Sequence, residues 1–194
     1  MVEIIPLPGV HRHNQPGYYS LADLPQRQSI EAHAFGTGWW ELDQILKFYL
    51  GQFVMVTGIA GHGKSTFLLN VLINMAREQG IRSFMYVPEN EAHLMDKLKK
   101  IWGNDQSFPL YAEDQCFIQS AVPDAYDQRP RTLDWVLDKA VVAIERDRVD
   151  IVLIDPWNEL ERARPKDMLM TDYIGECLMM LKQFCRTMNV VVIM

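Results

Sequence analysis

The feature that most constrains this chain is a glycine-rich segment at residues 58–65, with the sequence G-I-A-G-H-G-K-S. It follows a short apolar run at 52–57 and precedes a stretch, 64–80, whose apolar residues recur at helical spacing. A G-x-x-x-x-G-K-S pattern between a strand and a helix is typical of loops that bind the phosphates of a nucleotide. The chain is therefore predicted to fold as an α/β domain built around this loop.

The composition of the loop has a physical reason at each position. Glycines let the backbone turn tightly and point its N–H groups at phosphate oxygens, and the N-terminus of the following helix favours anions. Lys64 is predicted to neutralise the β- and γ-phosphates, and Ser65 to place its hydroxyl on Mg²⁺. His62 is expected to point to solvent. The expected ligands are ATP, or another nucleoside triphosphate, and Mg²⁺, and the predicted nucleotide-binding residues are Gly58, Ile59, Ala60, Gly61, His62, Gly63, Lys64, Ser65 and Thr66.

Two acidic residues directly follow apolar strands. Asp155 ends the run I-V-L-I-D, which is expected to lie beside the P-loop strand, and is predicted to hold the metal ion through water. The alternative is that Asp155 caps the next helix. Glu89 follows F-M-Y-V-P and is either a solvated loop residue or the residue that orients the attacking water. Parallel strands end at one edge of a sheet, which favours the catalytic role for Glu89, together with Lys64.

Strands and helices alternate along the chain, which predicts a mostly parallel sheet with helices on both faces. Strands are predicted at 52–57, 82–87, 116–122, 150–155 and 190–194, and helices at 64–80, 91–102, 132–147 and 167–189, with 103–115 as a loop. Residues 1–35, broken by several prolines, are predicted to be an arm or linker, and residues 36–194 to be the domain. Because functional loops usually follow such strands, the domain is expected to be incomplete after Met194.

The last predicted helix carries an apolar stripe that is expected to face the core. Its members are Met170, Tyr173, Ile174, Cys177, Leu178, Leu181, Phe184, Cys185 and Met188.

Composition excludes some classes of protein. The net charge of −6 argues against a surface that is basic overall, so any nucleic-acid contact has to come from a local basic loop. No apolar run approaches the roughly 18 residues of a membrane span, so no membrane partner is expected. The three cysteines, Cys116, Cys177 and Cys185, are predicted to be reduced and buried in a cytosolic protein.

The segment before the P-loop strand, T-G-W-W-E-L-D-Q-I-L at 37–46, carries a family resemblance. With the phosphate loop it resembles the RecA-like core of DnaB-type replicative helicases, Twinkle-like helicases and phage primase–helicases. The same lead-in occurs in KaiC-like and RadA-like ATPases. I-D-P-W-N at 154–158 and Y-V-P-E-N at 86–90 look more like the phage and Twinkle-like branch.

The resemblance covers roughly residues 36–194 and implies a function. It implies an ATPase motor that unwinds DNA as a hexameric ring on single-stranded DNA, in the cytoplasm of a bacterial or phage-infected cell. Glu89 would polarise the attacking water and Asp155 would serve the metal. The family's γ-phosphate sensor and its arginine finger, which a neighbouring subunit supplies, are expected beyond Met194. This chain then corresponds to the N-terminal part of such a motor.

Several interpretations stay open. A KaiC- or RadA-like ATPase in regulation or recombination and a non-catalytic nucleotide-binding module are the alternatives. Arg162, Arg164 and Lys166 are candidate contacts for single-stranded DNA, or else belong to a solvated loop in which Glu159 and Glu161 lie beside them. Trp39 and Trp40 are expected to pack against the core or a neighbouring subunit, while the role of Trp157 is undecided.

Overall fold

A computed structural model describes residues 34–88, 91–103, 106–120 and 127–194. Ala34–Met194 form one compact unit. The elements, in chain order, are α1 (Trp40–Asp43), β1 (Phe53–Val54), α2 (Lys64–Gln79), β2 (Ser83–Tyr86), α3 (Glu91–Trp102), α4 (Phe108–Asp114), β3 (Cys116–Gln119), α5 (Leu133–Asp147), β4 (Ile151–Ile154), a 3₁₀ turn (Trp157–Glu159), α6 (Met170–Met188) and β5 (Val191–Ile193). Residues 1–33, which make up most of the predicted N-terminal arm, lie outside the described residues.

Within the described residues, five strands form one parallel sheet in the order β1-β5-β4-β2-β3. The predicted parallel α/β fold is therefore confirmed. Because all neighbouring strands run in the same direction, their carboxyl ends meet at one edge of the sheet. That edge receives the phosphate loop from β1 and Asp155 from β4.

Helices cover both faces of the sheet. Alternate strand residues, such as Met85 and Leu153, pack with α2, α3 and α4, whereas Phe84 and Val152 pack with α5 and α6. β4 is buried along its whole length because successive side chains of a strand point to opposite faces and both faces are covered. This explains why its sequence, I-V-L-I, is continuously apolar and does not alternate.

One predicted loop is wrong, since α4 lies within residues 103–115. Phe108 and Tyr111, three residues apart on α4, pack against Trp102 at the end of α3, and the Trp102 and Tyr111 rings stack at 4.5 Å. Pro109 stands in the first turn, where its missing N–H removes no helical hydrogen bond. A seven-residue helix with proline in its first turn is too short to show periodicity, so tertiary packing stabilises it.

The apolar stripe of α6 is buried only in part. Cys177, Leu181 and Cys185 are buried, but Met170 and Ile174 near its start are exposed, contrary to the prediction. Periodicity identifies the apolar face of a helix but not how far the packed neighbour extends along it.

The three cysteines agree with the expectation from composition that they are buried and unpaired. Cys116, Cys177 and Cys185 are free and buried, as predicted. Burial raises the pKa of the Cys116 and Cys185 thiols to about 11. Among the described helices, none combines the length and apolar character that crossing a bilayer requires.

Candidate nucleotide-binding site

The phosphate loop turns sharply between β1 and α2. Gly61 and Gly63 have φ angles of 77° and 84°, in the left-handed region that favours glycine. A Cβ atom at either position would meet no atom within 4 Å, so the space beside these glycines is open. The backbone conformation, and not crowding, explains why both residues are glycine.

The N-terminus of α2 presents unsatisfied donors. In the described part of the chain, the amides of Lys64, Ser65 and Thr66 donate to no protein acceptor. Gly63, the N-cap residue, provides no side-chain cap, and the first turn contains no acidic residue. Free amides and an uncompensated helix dipole are the arrangement that binds phosphate groups.

The Lys64 ammonium group lies across the loop. Its Nζ donates to the carbonyl oxygens of Gly58 and Ile59, both at 2.9 Å. The cation is therefore held against the first two residues of the phosphate loop. His62 and Thr66 are exposed, while Ser65 is half-buried at the start of the helix.

Asp155 lies at the same edge of the sheet, but not on the strand next to β1. β5 lies between β1 and β4, so the expectation that the Asp155 strand adjoins the P-loop strand is wrong. Two interstrand spacings put β4 about 10 Å from β1. The pairing of β5 with both strands depends on long-range contacts that local sequence patterns do not report.

The surroundings of Asp155 exclude a capping role. The N-cap of the following 3₁₀ turn is Pro156, and no side chain caps that turn. Asp155 donates its backbone N–H to the Tyr86 carbonyl at 3.1 Å. Within the described residues, its half-buried carboxylate forms neither a hydrogen bond nor an ion pair. The carboxylate is thus available to a cation.

The donor set at this edge fits a magnesium ion held jointly by protein and nucleotide. Among the described residues, no group of three His, Cys, Asp or Glu side chains could hold a metal by itself. The Ser65 hydroxyl and the Asp155 carboxylate are oxygen ligands of the kind Mg²⁺ prefers, and phosphate oxygens and water would complete its coordination.

Glu89 lies outside the described residues, so its catalytic role stays a prediction. β2, the strand that precedes it, ends at Tyr86 and pairs with β4 in parallel register. Val87 is buried and Pro88 is half-buried.

The basic loop follows the 3₁₀ turn. Arg162, Arg164 and Lys166 are exposed, and Arg164 donates to the Met168 carbonyl. No described carboxylate forms an ion pair with any of the three cations. The Glu161 carboxylate instead accepts a hydrogen bond from the Arg131 backbone N–H at 2.9 Å.

The lead-in segment is bound to α2, a role that sequence reasoning missed. Thr37 is fully buried, and its carbonyl accepts a hydrogen bond from the Asn74 side chain at 3.2 Å. Trp39 stacks on Phe67 in the first helical turns after the loop, at 5.7 Å between ring centroids. Trp40 is 74% exposed. The Thr37-Gly38 pair with Asp43 shortly after it was the available signal in the sequence. The residue of α2 that bonds to Thr37, Asn74, lies 37 positions further along the chain, where no local pattern identifies it.

Comparison with known proteins identifies the family. A family model described as "ATPase: KaiC" matches residues 35–194. The chain belongs to this KaiC ATPase family. The match includes the lead-in, the phosphate loop and all five described strands, in agreement with a RecA-like P-loop fold. Membership of a RecA-like ATPase family implies nucleotide binding, usually with Mg²⁺.

A curated relative gives a second comparison. The Twinkle homolog protein, chloroplastic/mitochondrial, of Arabidopsis thaliana is 28% identical over 184 residues. The alignment covers 78% of this chain but 24% of the relative, so this KaiC-family chain spans about a quarter of that protein's length.

Proposed function

We propose that the chain is the ATPase motor of a replicative DNA helicase, in which ATP hydrolysis drives DNA unwinding. One observation carries the proposal: the segment leaving β4 bears both Asp155, whose carboxylate is available to a cation, and a loop of three cations that form an ion pair with no described carboxylate. A metal–nucleotide site and a surface for a polyanion thus share one strand end. The similarity to a Twinkle homolog also supports a helicase.

The residues divide the chemistry among them. The amides at the start of α2 and Lys64 bind the phosphates, and Ser65 and Asp155 hold the metal, which when bound neutralises charge on the phosphate oxygens. Glu89 orients a water molecule for attack on the γ-phosphate, in line with the departing ADP. An arginine from a neighbouring subunit stabilises the transition state in the proposed hexameric ring, which acts in the cytoplasm of a bacterial or phage-infected cell.

DNA contact is assigned to Arg162, Arg164 and Lys166. The net charge of −6 leaves little general attraction for a polyanion, so a local group of cations is needed. Glu161 directly precedes Arg162, but its carboxylate accepts a hydrogen bond from the Arg131 backbone N–H and forms no ion pair with the described cations. The cations are therefore available to backbone phosphates of single-stranded DNA, and binding should weaken as salt is raised.

The test is steady-state ATP hydrolysis with and without single-stranded DNA. DNA should stimulate turnover, and Lys64→Ala should abolish turnover with or without DNA. Because this variant loses a charged hydrogen-bond donor, its affinity for ATP should fall by roughly 10- to 150-fold. Lys100→Ala, which removes an exposed lysine on α3, is the matched control and should behave as wild type.

Two results would contradict the proposal. Absence of turnover at high protein concentration would indicate a nucleotide-binding module. Turnover that Lys64→Ala abolishes but DNA does not change would indicate a regulatory ATPase, the alternative that the KaiC family match favours.

A further inference from the structure

Glu161 and Arg131 form a reciprocal hydrogen-bonded pair. The Glu161 carboxylate accepts from the Arg131 backbone N–H at 2.9 Å, and the Glu161 backbone N–H donates to the Arg131 carbonyl at 3.0 Å. We call this pair the Arg131–Glu161 clamp. It attaches the start of the basic loop to the segment before α5, although the two residues are 30 positions apart.

The Arg131 side of the clamp is firmly held. Its guanidinium carbon lies 4.1 Å from the centroid of the Trp135 ring, within the range of a cation–π contact. Its Nη1 donates to the carbonyl oxygens of Asp127 and Arg129, at 3.3 and 3.4 Å. The clamp therefore rests on an ordered group of side chains.

Trp135 anchors this group to α5. It is 3% exposed, its backbone N–H donates to the Thr132 N-cap side chain, and its Nε1 donates to Asp127 Oδ2 at 3.0 Å. Hydrogen bonds from Arg129 and Lys139 hold the pKa of the Asp127 carboxyl well below its usual range, so this acceptor is charged at neutral pH. The Trp135 ring thus has little freedom to move.

Trp135 also contacts the strand next to Asp155. Its ring meets Tyr86, the last residue of β2, edge to face with centroids 6.1 Å apart. The Tyr86 carbonyl accepts the Asp155 N–H at 3.1 Å. Between these attachments, Leu160 is 6% exposed and packs in the same apolar cluster as Tyr86 and Trp135.

The segment from Asp155 to Glu161 is consequently bound at both ends to one packed group of side chains. Its first residue is bound to Tyr86 and its last to Arg131, and Trp135 contacts both partners. Arg162, the first cation of the basic loop, directly follows Glu161. A displacement of Arg162 therefore acts directly on Glu161, with no intervening loop residue.

We propose that the Arg131–Glu161 clamp couples DNA contact at the basic loop to the position of Asp155 in the nucleotide site. The inference rests on the proposed DNA-dependent ATPase. Glu161 and Arg131 are positioning residues here, since neither needs to touch nucleotide or metal. Packed, hydrogen-bonded networks of this kind carry coupling between sites when both sites bias the same element.

The test compares three variants in the same DNA-stimulated ATPase assay. Glu161→Ala removes the acceptor for the Arg131 amide, whereas Glu161→Gln keeps an oxygen that can accept it. Glu159→Ala removes an exposed carboxylate two residues away and is the charge-matched control. Glu161→Ala should lower the ratio of stimulated to unstimulated kcat by about two- to twelvefold, the range for one lost hydrogen bond, with the other two variants near wild type.

Two further measurements separate coupling from binding and from simple unfolding. The affinity of each variant for an oligothymidylate, measured by fluorescence anisotropy, should stay near wild type or rise slightly as negative charge is removed. Hydrogen exchange at the Arg131 amide should accelerate in Glu161→Ala and not in Glu159→Ala, which reports the loss of the clamp without reference to activity.

Each adverse outcome has a distinct meaning. If DNA stimulates Glu161→Ala and Glu159→Ala equally, the proposed coupling through the clamp is refuted and the proposed function is not. The same conclusion follows if Glu161→Gln is as impaired as Glu161→Ala. A fall in DNA affinity that accounts for the lost stimulation also overturns it, because the loop then serves binding only. If single-stranded DNA does not change the ATPase rate of the wild-type protein, the proposed function is refuted, and the proposed coupling is refuted with it.

Discussion

Replacing Asp43 tests how the lead-in segment is held to the domain. The Asp43 carboxylate accepts two hydrogen bonds from Thr37, from its backbone N–H at 2.5 Å and from its hydroxyl at 2.7 Å. Thr37 is fully buried and Asp43 is half-buried, so the two Thr37 donors are poorly placed to bond to solvent when this acceptor is removed. Asp43→Ala therefore leaves two buried donors without a partner.

The expected cost follows from these two hydrogen bonds. An unsatisfied buried donor costs about 1–3 kcal/mol, so loss of the acceptor for two donors should lower the free energy of unfolding of Asp43→Ala by roughly 2–6 kcal/mol. For a unit of this size, each kcal/mol shifts Tm by about 2–4 °C, so the expected fall in Tm is about 4–24 °C. Asp43→Asn keeps an acceptor oxygen but loses the charge, and should cost about 1 kcal/mol.

Urea denaturation followed by tryptophan fluorescence measures the effect, and Glu41→Ala is the control. Glu41 is an exposed acid on the same short helix as Asp43, so its replacement should change the free energy of unfolding by less than about 0.5 kcal/mol. If Asp43→Ala is no more destabilised than Glu41→Ala, the lead-in is not held by this network. Thr37→Val, which removes the hydroxyl donor, should show non-additive coupling with Asp43→Ala.

Two other predictions concern the nucleotide site and the core. Glu89→Gln should retain ATP binding and lower kcat by roughly 100-fold or more, as expected for loss of a general base, and hydrolysis within about threefold of wild type would make Glu89 a loop residue. Burial raises the pKa of the Cys116 and Cys185 thiols to about 11, from an ordinary value of 9.0. At pH near 8 iodoacetamide should therefore modify them roughly 100-fold more slowly in the folded protein than in urea, and equal rates would contradict their burial. Since the folded pKa is the higher one, this contribution to the free energy of unfolding is intact below about pH 9 and is lost as the pH rises towards 11.

The sequence by itself determined the fold class and the residues at the centre of the candidate site. The glycine spacing at 58–65 predicted a turn between a strand and a helix, and the structure has the left-handed glycines and free amides of such a turn. Continuous apolar runs such as I-V-L-I predicted strands buried on both faces of a parallel sheet. These inferences succeed because local patterns reflect local physical requirements, namely backbone conformation and the side of an element that faces the core.

Only the tertiary structure decided which elements are neighbours. β5 pairs between β1 and β4, and α4 forms where the rings of Trp102, Phe108 and Tyr111 pack together. The Arg131–Glu161 clamp and the Asn74 bond to Thr37 join residues 30 and 37 positions apart. Periodicity shows which side of a helix or strand is apolar, but it does not show which distant segment will cover it. The groups surrounding Asp155 and the basic loop could therefore be identified only when the chain was folded.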